Sequence, residues 1–231
     1  MSLDVGVGSV SYPQTGENRT RNRLVSQLCQ YIGGASNSDD KIRAAYSIDE
    51  AVRHFNKICW RFNRLTESIT LSASTSAYTL TATNVKAPMR AIVVDSNSKD
   101  IQRVGYVPWQ TIMDYDPSTI GTSTVPTLYT LKNLHETGQV TFHPPLGATL
   151  TYPTVRLEYF RRIAIEAGND DVLEVPVEVE QAIFEWALWR LMLKTDVKSS
   201  GPFKAAADEE FYQVSSEWRD WPDIPVIGVR G

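Results

Sequence analysis

The sequence has few of the residues on which metal and disulfide chemistry depend. It contains 2 cysteines and 3 histidines among 231 residues. Cys29 and Cys59 are too few for a disulfide framework, and both are predicted to be buried thiols inside helices. His54, His135 and His143 have no cysteine, histidine or carboxylate beside them at the spacing of metal ligands. The sequence therefore predicts neither a metal site nor a bound cofactor.

Sequence motifs of common catalytic sites are also missing. The chain has no Gly-rich phosphate loop and no serine within a Gly-x-Ser-x-Gly turn. The acidic pairs at 49–50 and 208–210 are explained by a helix start and by a solvated helix face. We therefore expect no enzymatic activity. One alternative remains open, a cell-wall hydrolase that uses Asp170, Asp171 or Glu174 as its acid and base.

Long apolar runs and strong positive charge are absent too. No run reaches the ~20 residues that span a bilayer, so no membrane partner is predicted. The net charge of −4 argues against a protein whose main task is to grip phosphate backbones. A mildly acidic surface instead suits a protein along which nucleic acid passes without tight binding.

Helix signals stand near the N-terminus. Ser47 and Glu50 have the spacing of a capping box. The apolar stripe that follows has helical spacing and consists of Ile48, Val52, Phe55, Cys59 and Phe62. The pattern predicts a helix from Ser47 to Phe62. An earlier helix is predicted from about Asn18 to Ile32, with Asn18 or Thr20 as its N-cap.

Two more helices are predicted near the C-terminus. An apolar stripe runs from Val179 to Leu191, and another runs from Phe203 to Trp218. The break between them is predicted at 199–202, with Pro202 as the first residue of the last helix.

The middle of the chain has the pattern of β-strands. Alternating residues flank 73–76 and predict a hairpin there. A buried strand is predicted over 89–94, followed by a polar turn and a returning strand. A short helix is predicted over 108–115. Further strands are predicted at 128–131, 139–143 and 155–160.

The predicted fold class is α+β. Residues 18–66 and 174–221 would form a helical bundle, because each helix has one apolar face to hide. Residues 67–173 would form an inserted antiparallel β domain. An N-terminal arm over 1–17 and an extended C-terminal tail over 222–231 complete the chain.

Several side chains are candidates for contacts with other proteins. Trp189 lies off the main stripe of its helix, which makes it the best inter-subunit anchor. The full set of candidate interface residues is Trp60, Trp189, Trp221, Pro222, Ile224, Val226 and Ile227. The basic residues Arg19, Arg21 and Arg23 form either a plain exposed face or a contact with DNA or an acidic partner.

The order of several short segments resembles that of a known family. These segments are Trp60-Arg61-Phe62-Asn63-Arg64-Leu65, Tyr78-Thr79-Leu80, Ala87-Pro88-Met89-Arg90-Ala91-Ile92-Val93-Val94, Pro126-Thr127-Leu128-Tyr129, Phe142-His143-Pro144-Pro145, Leu157-Glu158-Tyr159-Phe160-Arg161-Arg162 and Asp170-Asp171-Val172-Leu173-Glu174-Val175-Pro176. In this order they resemble the head-to-tail adaptor proteins of tailed bacteriophages, in particular tail tubular protein A of short-tailed phages. The resemblance covers about 24–220.

The resemblance implies a structural virion protein at the head-tail junction. It implies a homo-oligomeric ring, a dodecamer, docked under the portal protein. The tail nozzle protein and fibres would attach below, and genome DNA would pass through the channel without sequence-specific binding. Assembly would take place in the cytoplasm of the bacterial host. A different class of function stays open, a carbohydrate-binding tail module that uses Trp109, Tyr115 and Tyr129.

Overall fold

The computed structural model describes residues 20–32, 38–113, 121–134, 137–164 and 172–220. It contains both helices and strands, as the α+β prediction requires. Within these residues the chain divides into two compact units. One comprises 63–162 and holds the strands. The other comprises 20–62 and 163–220 and holds the long helices.

Four helices pack together in the helical unit. They are α1 (Arg21–Tyr31), α2 (Ser38–Phe55), α4 (Val177–Thr195) and α5 (Ser200–Trp218). α2 contacts α1 and α4, and α4 contacts α5. Their apolar faces form one continuous core that includes Leu28, Ile48, Phe55, Trp60, Ile183 and Leu191. Among the described helices, none combines the length and hydropathy that a bilayer crossing requires.

The capping box predicted at Ser47 is wrong. α2 already begins at Ser38, with Asp39 and Asp40 in its first turn. Carboxylates there interact favourably with the positive end of the helix dipole. Ser47 is buried inside the helix, and its hydroxyl donates to the Arg43 carbonyl oxygen at 3.0 Å. Buried Ala44 extends the apolar face toward the N-terminus, which explains the longer helix.

The predicted end of this helix at Phe62 is also wrong, because α2 ends at Phe55. The backbone tightens there through a 3.1 Å bond from the Ile58 N–H to the Phe55 carbonyl oxygen. The Trp60 indole N–H donates to the same oxygen at 2.7 Å. Cys59 therefore lies outside any helix and is half-buried, whereas Cys29 is buried in α1 as predicted.

The other helix boundaries follow the sequence more closely. Thr20 is the N-cap of α1, and its hydroxyl accepts from the Arg23 N–H at 3.3 Å. The break before α5 comes earlier than predicted, at Asp196. The Asp196 carboxylate accepts from the backbone N–H groups of Lys198 and Ser199 and starts a short 3₁₀ turn. α5 then begins at Ser200, so Pro202 lies within its first turn.

Within the described residues, seven strands form one sheet in the other unit. The strands are β1 (Arg64–Thr70), β2 (Ala77–Thr83), β3 (Val85–Val94), β4 (Asp100–Tyr106), β5 (Leu128–Lys132), β6 (Thr137–His143) and β7 (Thr154–Arg161). Their order is β1-β7-β3-β4-β5-β6-β2. One face covers a core that includes Leu80, Val93, Tyr129, Phe142 and Leu157.

Two predictions for the sheet need correction. β1 and β2 do not form the expected hairpin, because β1 pairs with β7 along its whole length and β2 pairs with β6. Alternation reveals which side chains are buried but does not specify the partner strand. The sheet is also not wholly antiparallel, since β4 and β5 are parallel. The helix α3 (Trp109–Met113) lies in the connection between them, and parallel neighbours require such a crossover.

A buried carboxylate lies on β7, between its neighbours β1 and β3. Glu158 is only 3% exposed, and it forms ion pairs with Arg64 and with Arg90, the latter at 2.7 Å. Burial favours the neutral acid, but the hydrogen bonds from Arg90 and Arg64 outweigh it and lower the pKa of Glu158. The carboxylate therefore ties β1 and β3 to β7.

Candidate subunit-contact surface

Trp189 lies on the outer side of α4 within an aromatic and charged cluster. Its ring stands edge-on to that of Trp186, with 5.2 Å between the centroids. The Arg190 guanidinium carbon lies 5.5 Å from the Trp189 ring centroid, and the Lys204 Nζ of α5 lies 5.6 Å from it. Cations at this range are attracted to the ring face. Trp189 is half-buried, so part of this ring remains available to another molecule.

The cations around Trp189 are fixed by carboxylates. Glu50 of α2 accepts from Arg190 Nε at 3.1 Å and from Lys194 Nζ at 3.0 Å. Although partial burial of Glu50 favours its neutral form, these hydrogen bonds lower its pKa. Lys204 pairs with Asp208 at 2.5 Å. We call Trp186, Trp189, Arg190, Lys194 and Lys204 the Trp189 surface.

An aromatic stack supports this surface from below. His54 of α2 lies flat against Trp186, with centroids 4.8 Å apart and an angle of 18° between the rings. The ring centroid of Phe211 on α5 lies 5.0 Å from that of His54. Burial lowers the pKa of His54, and the charges of Lys57 and Arg190 lower it further against the opposing effect of Asp208. The neutral imidazole thus serves as a packing group that fixes Trp186.

A second exposed patch lies on α2. Ile42 is 54% exposed and Tyr46 is 60% exposed, and their i, i+4 spacing places both side chains on one side of the helix. The sequence prediction missed this pair because it began the helix at Ser47. The acidic pair Asp39-Asp40, placed as in a first helical turn, is the signal that would have found it.

The chemistry of both patches suits contact rather than catalysis. A rigid tryptophan flanked by fixed cations is typical of residues that dominate protein interfaces. The described residues contain no group of three or more histidine, cysteine or carboxylate side chains able to hold a metal. An exposed isoleucine and tyrosine on one helix are apolar surface that another chain would cover.

A protein-family model described as the SU10 adaptor protein matches residues 20–225. This match spans nearly all of both units. The chain belongs to the SU10 adaptor family. The adaptor prediction made from the sequence is confirmed at this level, whereas the narrower likeness to tail tubular protein A stays a prediction.

Solved structures give weaker likenesses to this adaptor. A chain from the neck of an empty GTA particle is 12% identical, with a TM-score of 0.30 and coverage of 79% of each chain. A chain from the virion of a native gene transfer agent particle is 13% identical, with a TM-score of 0.28 and coverage of 94% of each chain. No curated protein matches the sequence.

The predicted interface residues of the adaptor fall into three groups. Trp60 is 1% exposed and belongs to the core of the helical unit. Its ring therefore cannot contact another subunit while that core is intact. Trp189 is half-buried on the surface described above. The remaining five lie outside the described residues, namely Trp221, Pro222, Ile224, Val226 and Ile227.

The three arginines of the N-terminal basic cluster are not equivalent. Arg19 lies outside the described residues. Arg21 forms an ion pair with Asp49 of α2 at 2.7 Å and thereby ties α1 to α2. Arg23 is exposed. Of the two that the structure describes, Arg23 is therefore the better candidate for contact with DNA or an acidic partner.

The residues of the two alternative functions are not arranged for those functions where the structure describes them. Tyr129 is 1% exposed in the sheet core, and Lys132 Nζ covers the Trp109 ring at 3.1 Å from its centroid. The Tyr129 ring is therefore not free to stack on a sugar, and one face of the Trp109 ring is already occupied. Tyr115, Asp170 and Asp171 lie outside the described residues, and Glu174 is exposed.

Proposed function

We propose that this protein is a structural adaptor of a bacteriophage virion. It forms a ring at the head-tail junction, joins the portal protein to the tail and leaves a channel for genome DNA. The observation that carries this proposal is the match of the SU10 adaptor family over residues 20–225. The partners are further copies of the chain, the portal protein and the tail nozzle protein, with fibres as an additional attachment.

The proposed architecture follows the predicted domain order. The helical unit acts as a bundle and the sheet unit acts as a β domain inserted into it, with bounds close to the predicted 18–66 with 174–221 and 67–173. The arm over 1–17 and the tail over 222–231 make contacts during assembly. The residues that make these contacts at the C-terminal end of the chain are Trp221, Pro222, Ile224, Val226 and Ile227. The ring is a dodecamer, assembled in the host cytoplasm.

A ring requires two different contact patches on each subunit. A head-to-tail arrangement joins one patch of a subunit to another patch of its neighbour. The helical unit carries two exposed patches of suitable composition, the Trp189 surface and the Ile42–Tyr46 pair. We propose that neighbouring subunits meet through these patches.

Mass measurement in solution tests the proposal. The purified chain is analysed by size-exclusion chromatography with light scattering, alone and mixed with its portal protein, and the products are imaged by negative-stain microscopy. Rings, alone or on the portal, are the expected result. A chain that stays monomeric at all concentrations and does not bind the portal protein would contradict the proposed adaptor function.

A further inference from the structure

One face of strands β5 and β6 carries polar side chains. Thr130 is paired with Thr141, Leu128 with His143, and Lys132 with Gln139. Cross-strand partners share a face of the sheet, and residues two apart along a strand share it too. This face is therefore opposite the core side chains Tyr129, Phe142, Leu131 and Val140.

Several polar atoms on this face have no hydrogen-bond partner within the described part of the chain. They are the hydroxyl oxygens of Thr130 and Thr141 and the Nε2 atom of His143. Thr130 is 0% exposed and Thr141 is 6% exposed, so bulk water does not reach them freely. Buried polar groups in folded proteins almost always have partners, and leaving one unpaired is destabilising.

Lys132 lies on the same face and has no acidic partner within the described part of the chain. The ion pairs found among the described residues do not include Lys132. Its ammonium lies over the Trp109 ring of α3. Burial lowers the pKa of Lys132, and both burial and the charge of Lys132 lower the pKa of His143. The face thus carries excess positive charge in a partly desolvated place.

The strand register places the two threonines between the two basic side chains. Lys132 lies two residues from Thr130 along β5, and His143 lies two residues from Thr141 along β6 in the opposite direction. Two residues along a strand span roughly 7 Å. A group of a few atoms lying over the threonine pair is within reach of both.

We propose that Thr130, Lys132, Thr141 and His143 form a binding site for a single oxyanion, a carboxylate or phosphate group. Lys132 supplies the positive charge, and the two threonine hydroxyls donate hydrogen bonds to the anion oxygens. His143 borders the site. The anion comes either from solution or from an acidic side chain or C-terminus of a second copy.

Histidine-labelled full-length protein tests the site by NMR. Inorganic phosphate and acetate are titrated separately at pH 7 and constant ionic strength, and the imidazole signals are followed. A saturable shift of the His143 signals is expected, with His54 as the internal reference. Lys132→Met should raise the half-saturating concentration at least tenfold, and Thr130→Val should raise it to a smaller extent.

Lys99→Met serves as the matched control, since Lys99 lies in the β3–β4 turn of the same unit. It should bind like the wild type. Unchanged thermal midpoints establish that the variants are folded, and Lys132→Gln replaces Lys132→Met if the latter unfolds. A linear, non-saturating response that is equal in wild type and Lys132→Met means an adventitious ion only, and overturns the proposal.

A dilution series without added anion distinguishes the two sources. If the anion is a carboxylate of a second copy, the His143 signals shift with protein concentration and Lys132→Met abolishes the dependence. If it is a free anion, the signals are independent of protein concentration and respond only to phosphate or acetate. No response in either series overturns the site.

Discussion

The side-chain amide of Asn56 forms two hydrogen bonds with the backbone of Ile163. Oδ1 accepts from the Ile163 N–H at 2.7 Å, and Nδ2 donates to the Ile163 carbonyl oxygen at 2.9 Å. Asn56 is the first residue after α2, and Ile163 is the first residue of the returning segment of the helical unit. One side chain therefore fixes the end of α2 to the point where the chain returns to this unit.

Replacing Asn56 should destabilise the helical unit. Asn56→Ala removes both bonds and leaves two backbone groups of Ile163 without their partner. At about 1 kcal/mol for each bond, the free energy of unfolding should fall by about 2 kcal/mol. Urea unfolding, followed by tryptophan fluorescence, measures this free energy. Asn97→Ala, in the exposed β3–β4 turn, should change it by less than about 0.5 kcal/mol. Equal effects of the two variants would contradict the role of Asn56.

The ion pairs of Glu158 should stabilise the sheet unit strongly at neutral pH. Removing one member of a buried pair costs about 3–5 kcal/mol. Because the side chains of Arg64 and Arg90 are 33% and 36% exposed, we expect Glu158→Gln to cost about 3 kcal/mol, at the low end. The matched control is Asp100→Asn in the exposed Arg156–Asp100 pair, which should cost less than about 1 kcal/mol. Urea unfolding at pH 7 measures both.

Acid should remove the contribution of Glu158. Its pKa is lower in the folded chain than in the unfolded chain, so the unfolded chain binds the proton more readily. The stabilisation is complete above the ordinary glutamate pKa of about 4.3 and is lost as the pH falls through the lower, folded value. The stability difference between wild type and Glu158→Gln should therefore narrow below about pH 4. A difference that stays constant down to pH 2.5 would contradict this assignment.

His54 should make the helical unit less stable in mild acid. Its folded pKa lies below the ordinary value of about 6.5, so protonation favours the unfolded chain. Stability should be greatest above pH 7 and should decline as the pH falls below about 6.5. In His54→Gln this decline between pH 7.5 and pH 5 should be smaller. His143→Gln is the necessary comparison, because the pKa of His143 is also lowered. A decline that is unchanged in His54→Gln would show that other groups cause it.

Trp189→Ala should weaken assembly and leave the fold intact. An interface anchor contributes about 2 kcal/mol or more, which corresponds to roughly a 30-fold loss of affinity per contact. Mass photometry over a concentration series measures the loss, and circular dichroism checks the fold. Tyr212→Ala is the matched control, because Tyr212 is an aromatic residue on α5 that is 73% exposed. An equal loss of subunit affinity in both variants would contradict the role of Trp189 as an interface anchor.

Apolar periodicity located the elements better than their boundaries. The stripes at 179–191 and 203–218 correspond to α4 and α5, and the buried run at 89–94 lies in β3. The α2 boundaries were wrong at both ends, since a serine-glutamate pair occurs inside helices as well as at their starts. The apolar spacing continues to Phe62, but it does not reveal that the Trp60 indole N–H donates to the Phe55 carbonyl oxygen, where the helix ends.

The candidate site was only partly predictable. Trp189 was found because it departs from the stripe of its own helix. The contacts around it were not, because Glu50 of α2 and Lys204 of α5 come from other helices and meet α4 only in the folded chain. The polar face of β5 and β6 was missed for the same reason, since pairing of Thr130 with Thr141 is a property of strand register.

The sequence by itself determined what depends on local pattern. It determined the order of helices and strands, the absence of a disulfide framework, and a resemblance that agrees with the adaptor family. Tertiary structure decided what depends on long-range contact. It decided that β1 pairs with β7 rather than β2, that Glu158 lies between two arginines, and that Asn56 meets Ile163 across 107 residues. Periodicity specifies which face a residue buries, whereas the partner on that face is chosen by packing of the whole chain.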